Sequence, residues 1–197
     1  MFCKDKTESD SMKKIFIFLT LFQIHAFGFL ADLNLNLDQS TFSQASDTVS
    51  NQSINSVILY ANLSKNESKA GSYLGWYMSS VSSKQSIAGG SETSLTSSDM
   101  GPAFRWQSGN QILSITIAYA VVCKGKYSDS VVNEDLSGES QFIKLAVEPP
   151  INEKFSVGVG LNYYSASYKT SVQNSTQSDV SYKNTKIYPS LSFSYKY

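Results

Sequence analysis

The chain has 197 residues, which suits one domain. Its 16 basic residues balance 16 acidic ones, so no basic footprint points to nucleic acid. Charged residues make up only 16% and aromatics reach 13%, a balance unusual for a cytosolic enzyme and suited to a sheet apolar on one face and polar on the other. A secreted β-sandwich shares that composition.

The first element in the chain reads as a targeting segment. Met12-Lys13-Lys14 supplies a basic start, Ile15–Leu21 a short apolar run, and Ala26-Phe27-Gly28 small residues at the positions a signal peptidase reads. A signal peptide over 1–28 is expected, with Met12 as its true start. The apolar run is too short for a transmembrane helix. Removing it takes away Cys3 and His25, so residues 29–197 hold one cysteine, Cys123, and no histidine. Four lysines and three acidic residues also go, leaving the remainder close to neutral.

From residue 29 onward the side chains alternate with a period of two, as strands require. Leu33, Leu35 and Leu37 alternate with Asp32, Asn34 and Asn36, predicting a strand over 29–38. Val57, Leu59 and Ala61 alternate with Ile58 and Tyr60 over 55–64. Two less regular strands follow over 72–83, with Leu74, Trp76 and Met78 on one face, and over 97–107, with Pro102, Phe104 and Trp106. The fifth, 111–127, sets Leu113, Ile115, Ile117, Tyr119, Val121 and Cys123 against Ser114, Thr116, Ala118 and Ala120. Ile143, Leu145 and Val147 mark 139–149, and Phe155, Val157, Val159, Leu161 and Tyr163 mark 155–170. The last strand, 182–197, sets Ile187, Leu191, Phe193, Tyr195 and Tyr197 against Tyr188, Ser190, Ser192 and Ser194.

Eight antiparallel strands close an up-and-down sheet without leaving an edge in lipid. The expected connections alternate in length: long and polar at 39–54, 84–96, 128–138 and 171–181, short at 65–71, 108–110 and 150–154. Transmembrane barrels place long loops outside the cell and short turns on the periplasmic side. Trp76, Tyr77, Trp106, Phe155, Tyr163, Tyr195 and Tyr197 suit the aromatic girdles at the two membrane interfaces. The fold class that follows is all-β: an eight-stranded antiparallel transmembrane β-barrel over 29–197.

In this architecture the chain resembles the small outer-membrane β-barrels of the OmpA-transmembrane-domain and OmpX type. Leu191, Phe193, Tyr195 and the terminal Tyr197 resemble the assembly signal read by the barrel-assembly machinery, although the family more often ends in Phe. The resemblance implies a monomer in the Gram-negative outer membrane. Its implied partners are membrane lipid and lipopolysaccharide, the assembly machinery during biogenesis, and a surface ligand met through extracellular loops.

Some barrels of this class modify lipopolysaccharide with a serine hydrolase constellation, which needs a histidine base. Residues 29–197 supply none, so a non-enzymatic protein without catalytic residues, metal or cofactor is expected. The expected lumen charges are Asp32, Asp99, Arg105 (the sole arginine), Lys124, Lys144, Glu148 and Lys186. A self-satisfying salt-bridge network is favoured over a gate, because buried charge must be paired and eight strands leave no open channel. Cys123 is expected on the lipid face as a small apolar residue. Asp129, Glu134, Asp135 and Glu139 read as a solvated acidic loop, since their spacing fits no calcium loop. Asn174-Ser175-Thr176 and three similar triplets match the glycosylation sequon by chance, and Ala88-Gly89-Gly90 reads as a turn. The alternative readings are a narrow pore for small solutes and a secreted, soluble β-sandwich.

Overall fold

A computed structural model describes residues 29–36, 48–62, 71–87, 92–129 and 131–197. The expected signal peptide, 1–28, and the Ala88-Gly89-Gly90 turn lie outside the described residues. Eight strands form one closed antiparallel ring. They are β1 Phe29–Asn36, β2 Thr48–Asn62, β3 Gly71–Ile87, β4 Glu92–Gln107, β5 Leu113–Ser128, β6 Asn133–Val147, β7 Phe155–Gln173 and β8 Thr176–Lys196. Each strand pairs with its neighbour in sequence, and β1 closes the ring on β8 through Leu30↔Lys196 to Asn36↔Ser190. The sheet is single and continuous, so the two-sheet sandwich does not form.

The strands alternate as their side chains dictate. In β4, Ser97, Asp99, Ala103, Arg105 and Gln107 are buried inside the ring, while Met100, Phe104 and Trp106 point outward. Cross-strand neighbours share a face, so Leu74 of β3, Phe104 of β4 and Ile117 of β5 lie side by side on the exterior. The interior is filled by Tyr60, Tyr77, Phe142, Tyr164, Tyr168 and Tyr188, packed among small residues such as Ala118, Ala120 and Ala166. Tyr77 belongs to this interior, stacked on Phe142 with ring centroids 5.0 Å apart, and not to an exterior girdle.

Three of the expected long loops are much shorter. The 171–181 connection is a two-residue turn, Asn174–Ser175, between Gln173 and Thr176. Both turn residues have positive φ (49° and 66°), which matches the twist of the flanking strands. The 128–138 connection reduces to Asp129–Val132, where Asp129 Oδ1 accepts the backbone N–H groups of Val131 (2.8 Å) and Val132 (2.7 Å). The 84–96 connection reduces to 88–91. Ser-, Thr- and Asn-rich segments still pair their backbones. The barrel wall therefore continues beyond the apolar region, with β2–β3, β4–β5 and β6–β7 still paired as far as Thr48↔Ile87, Ser94↔Ser128 and Asp135↔Val172. β7 and β8 run to 19 and 21 residues, against about 9–11 needed to cross a bilayer.

A bulge corrects the upper half of β5. The β5–β6 register shifts between Ala120 and Cys123, so Val121 and Val122 together face one position of β6. The extra residue reverses the alternation. Cys123 turns inward and is buried, whereas Lys124 turns outward and is exposed, opposite to both expectations. On the neighbouring β6–β7 ladder a second register shift falls at Gly138. There a Cβ would sit 2.0 Å from the Ser167 carbonyl oxygen, so only glycine fits this close approach.

Candidate functional site

The barrel has two chemical surfaces: a charged, hydroxyl-rich lumen and an apolar outer belt. Arg105 of β4 spans the lumen at the level of Asp32 of β1. Arg105 Nη1 donates to Asp32 Oδ2 at 2.9 Å and Nη2 to Glu148 Oε2 at 2.5 Å. Lys144 of β6 approaches the same two carboxylates, at 2.6 Å from Asp32 Oδ2 and 2.9 Å from Glu148 Oε1. All four side chains are 0–1% exposed, and their charges cancel.

Neutral groups complete this tetrad. Lys144 Nζ also reaches Asn34 Oδ1 (2.8 Å) and Ser192 Oγ (2.9 Å). Ser114 donates to Glu148 at 2.8 Å, and the Ser192 hydroxyl lies against both Glu148 and Asp32. Buried carboxylates need several donors to offset the loss of water. Here the donors come from four strands, so the tetrad ties the wall together across the lumen.

The other expected lumen charges do not join it. Asp99 is buried higher up, where its Oδ2 accepts from Tyr164 (2.7 Å), Ser140 (3.0 Å) and Ser79 (3.2 Å). Lys186 is paired across the ladder with Tyr164, and Lys124 lies outside. The participating serines and Asn34 escaped sequence reasoning, because only their inward parity distinguishes them from many other Ser and Asn residues.

The acidic residues expected in one loop are dispersed. Asp129 holds its turn, and the two backbone N–H groups it accepts keep its carboxyl below the usual carboxylate range. Glu134 accepts from Ser171 at 2.9 Å. Asp135 faces outward. Glu139 pairs with Lys169 at 2.7 Å on the outer face and accepts from the Tyr119 hydroxyl.

The outer belt has a sharp upper limit. Outward side chains are apolar up to Val57, Met78, Met100, Val121, Ile143, Tyr163 and Ile187 on β2 to β8. The next outward residues on the same strands are Asn55, Ser80, Ser98, Lys124, Gln141, Ser165 and Thr185. Below the limit lie exposed Leu33, Leu59, Leu74, Trp76, Phe104, Trp106, Ile117, Leu145, Val159 and Phe193, among others. Soluble monomers rarely expose a contiguous apolar patch above a few hundred Å². A belt around a complete ring far exceeds that. At its lower end Phe155 and Tyr195 are in ring contact at 4.8 Å, on the end of β8 that also carries Leu191 and Phe193, with Tyr197 just past the strand. Trp76 sits inside the belt, opposite Pro102, away from its rims.

No family model and no curated protein matches the chain. Among solved structures it is similar to the translocator domain of autotransporter NalP from Neisseria meningitidis, with 14% identity and a TM-score of 0.40. That match covers 93% of this chain, which spans 66% of the other's length. A major outer membrane protein from Thermus thermophilus matches at 10% identity and a TM-score of 0.28, over 88% of this chain and 100% of that one. The beta domain of the Bordetella autotransporter Brka matches at 9% and 0.25, over 87% and 98%. Likeness at this level says nothing of function.

Proposed function

We propose that this protein is an integral outer-membrane β-barrel that crosses the bilayer with its eight strands, does no chemistry, and presents a polar surface outside the cell. The observation that carries the reading is the apolar belt on a ring with no open edge. Lipid is the solvent in which such a surface is stable, and a closed barrel is the only all-β structure that satisfies every backbone group there. The expected loop presentation takes a different form: the outer surface consists of the extended hairpins of β3–β4, β5–β6 and β7–β8. The tight connections at 108–112 and 148–154 then face the periplasm.

Kinship with the OmpA-transmembrane-domain and OmpX type belongs to the same proposal, supported by the strand count and by aromatic alternation in the last strand. The tetrad is read as structural. Its four buried side chains cross the lumen and satisfy one another's charges, so the narrow pore is not favoured. The test is to express the chain in a Gram-negative host, fractionate the envelope, and compare gel mobility with and without boiling. Recovery in the outer membrane with a boiling-dependent shift supports the proposal. A soluble protein whose mobility ignores boiling overturns it.

A further inference from the structure

On the outer face of β4, β5 and β6, immediately above the apolar belt, lies a depression of about 520 Å³. Its outward lining is Thr96, Ser98, Lys124, Lys126, Asp135 and Ser137. The bulge at Val121–Val122 creates this face: without the extra residue, both lysines would point into the lumen. Instead Lys124 sits between Ser98 and Ser137 across the two ladders, and Lys126 between Thr96 and Asp135. Residues two apart on a strand share a face with about 6.5–7 Å between them. Both lysines are exposed, and among the described residues neither forms an ion pair within 4.0 Å. Asp135 is the one acidic residue in the lining, opposite Lys126, and Glu139 further down β6 is already paired with Lys169.

We infer that this depression binds the phosphate-bearing headgroup of an outer-leaflet lipid. The inference rests on the membrane reading above, which fixes the depth of the site. Val121 is the last apolar outward residue of β5 and Lys124 the first polar one, so the lysines lie where acyl chains give way to headgroups. Two ammonium groups supply the charge, and the hydroxyls of Thr96, Ser98 and Ser137 donate to the remaining phosphate oxygens. Asp135 opposes Lys126 and weakens its share, which makes Lys124 the principal contact. An interfacial lysine contributes about fivefold to the binding of anionic lipid.

The test uses the full chain refolded into phosphatidylcholine vesicles carrying trace spin-labelled phosphatidic acid or spin-labelled phosphatidylcholine. Electron spin resonance reads the fraction of each label held at the protein surface. The inference predicts a preference for phosphatidic acid that falls several-fold in Lys124→Gln/Lys126→Gln and is unchanged in Lys84→Gln, a lysine elsewhere on the barrel. An equal preference in the double variant overturns the site. Inorganic phosphate should weaken the preference more than sodium chloride of equal ionic strength, because it competes for the same lysines; equal effects of the two salts would reduce the contact to diffuse charge attraction and overturn the site. If neither label is immobilised, the membrane reading itself fails; if both are immobilised equally, only the headgroup site fails.

Discussion

Replacing Arg105 with Met tests the tetrad at its centre. The substitution keeps much of the length and the apolar body of the side chain but removes the charge that holds Asp32 at 2.9 Å and Glu148 at 2.5 Å. Lys144 then faces both carboxylates alone, leaving one uncompensated negative charge among side chains that are 0–1% exposed. Breaking one partner out of a buried ion pair costs about 3–5 kcal/mol. At about 1.4 kcal/mol per tenfold, the folded-to-unfolded ratio should fall by roughly two to three and a half decades. The assay is urea unfolding of the barrel in lipid vesicles, followed by tryptophan fluorescence. Combining Arg105→Met with Glu148→Gln leaves the Asp32–Lys144 pair charge-matched and should recover part of the loss, with a coupling of about 1–3 kcal/mol. A single variant costing under about 1 kcal/mol, or a double variant with strictly additive losses, would refute the tetrad as a coupled unit.

Three further outcomes follow from separate parts of the barrel. Ile117→Arg, within the belt, should destabilise the membrane-folded state by about 2–4 kcal/mol, whereas Ser98→Arg, just above it, should cost about 0–1 kcal/mol; equal costs in the same urea assay would erase the boundary between Val121 and Lys124. Cys123 should resist both membrane-partitioning and water-soluble maleimides in the folded barrel and react after unfolding, whereas rapid labelling by the partitioning reagent would return the thiol to the lipid face. The Asp129 carboxyl is held low by the Val131 and Val132 N–H groups. Its hold on the turn is therefore complete above the ordinary Asp value, about 3.9, and is lost as pH falls through the lower folded value. Protection factors at Val131 and Val132, taken against the intrinsic exchange rate at each pH, should fall below that pH in the wild type and at neutral pH in Asp129→Ala; protection that does not change with pH in the wild type would exclude the carboxylate as the cause.

Much of the barrel was legible because lipid and lumen impose opposite demands on alternate residues. Leu113, Ile115 and Ile117 against Ser114, Thr116 and Ala118 admit one arrangement in a closed sheet, and the same parity placed Asp32, Arg105, Lys144 and Glu148 inside. The β5 bulge was not legible. Val121-Val122-Cys123 offers three residues of similar size and polarity, and nothing in composition marks which is extra. Unbroken alternation therefore puts Cys123 and Lys124 each on the wrong face. The upper hairpins are hidden for a different reason: their outward face is polar and their inward apolar residues, such as Leu95 and Leu136, are too sparse among Ser, Thr and Asn to show a period, so such segments read as loops. Asn174–Ser175 carries a usable signal, because Asn tolerates positive φ in a two-residue turn.

The central claim is that the outer belt faces lipid, and the chain's two tryptophans report on it directly. Trp76 and Trp106 both point outward from the belt, at 46% and 42% exposure. The decisive measurement is their fluorescence in vesicles of brominated phosphatidylcholine against the unbrominated lipid, because bromine quenches only on close approach. The account predicts strong quenching in the wild type that persists in Trp76→Phe and in Trp106→Phe, each of which leaves one reporter. Emission unaffected by bromine in a folded protein would place both rings away from the acyl chains and contradict the transmembrane barrel.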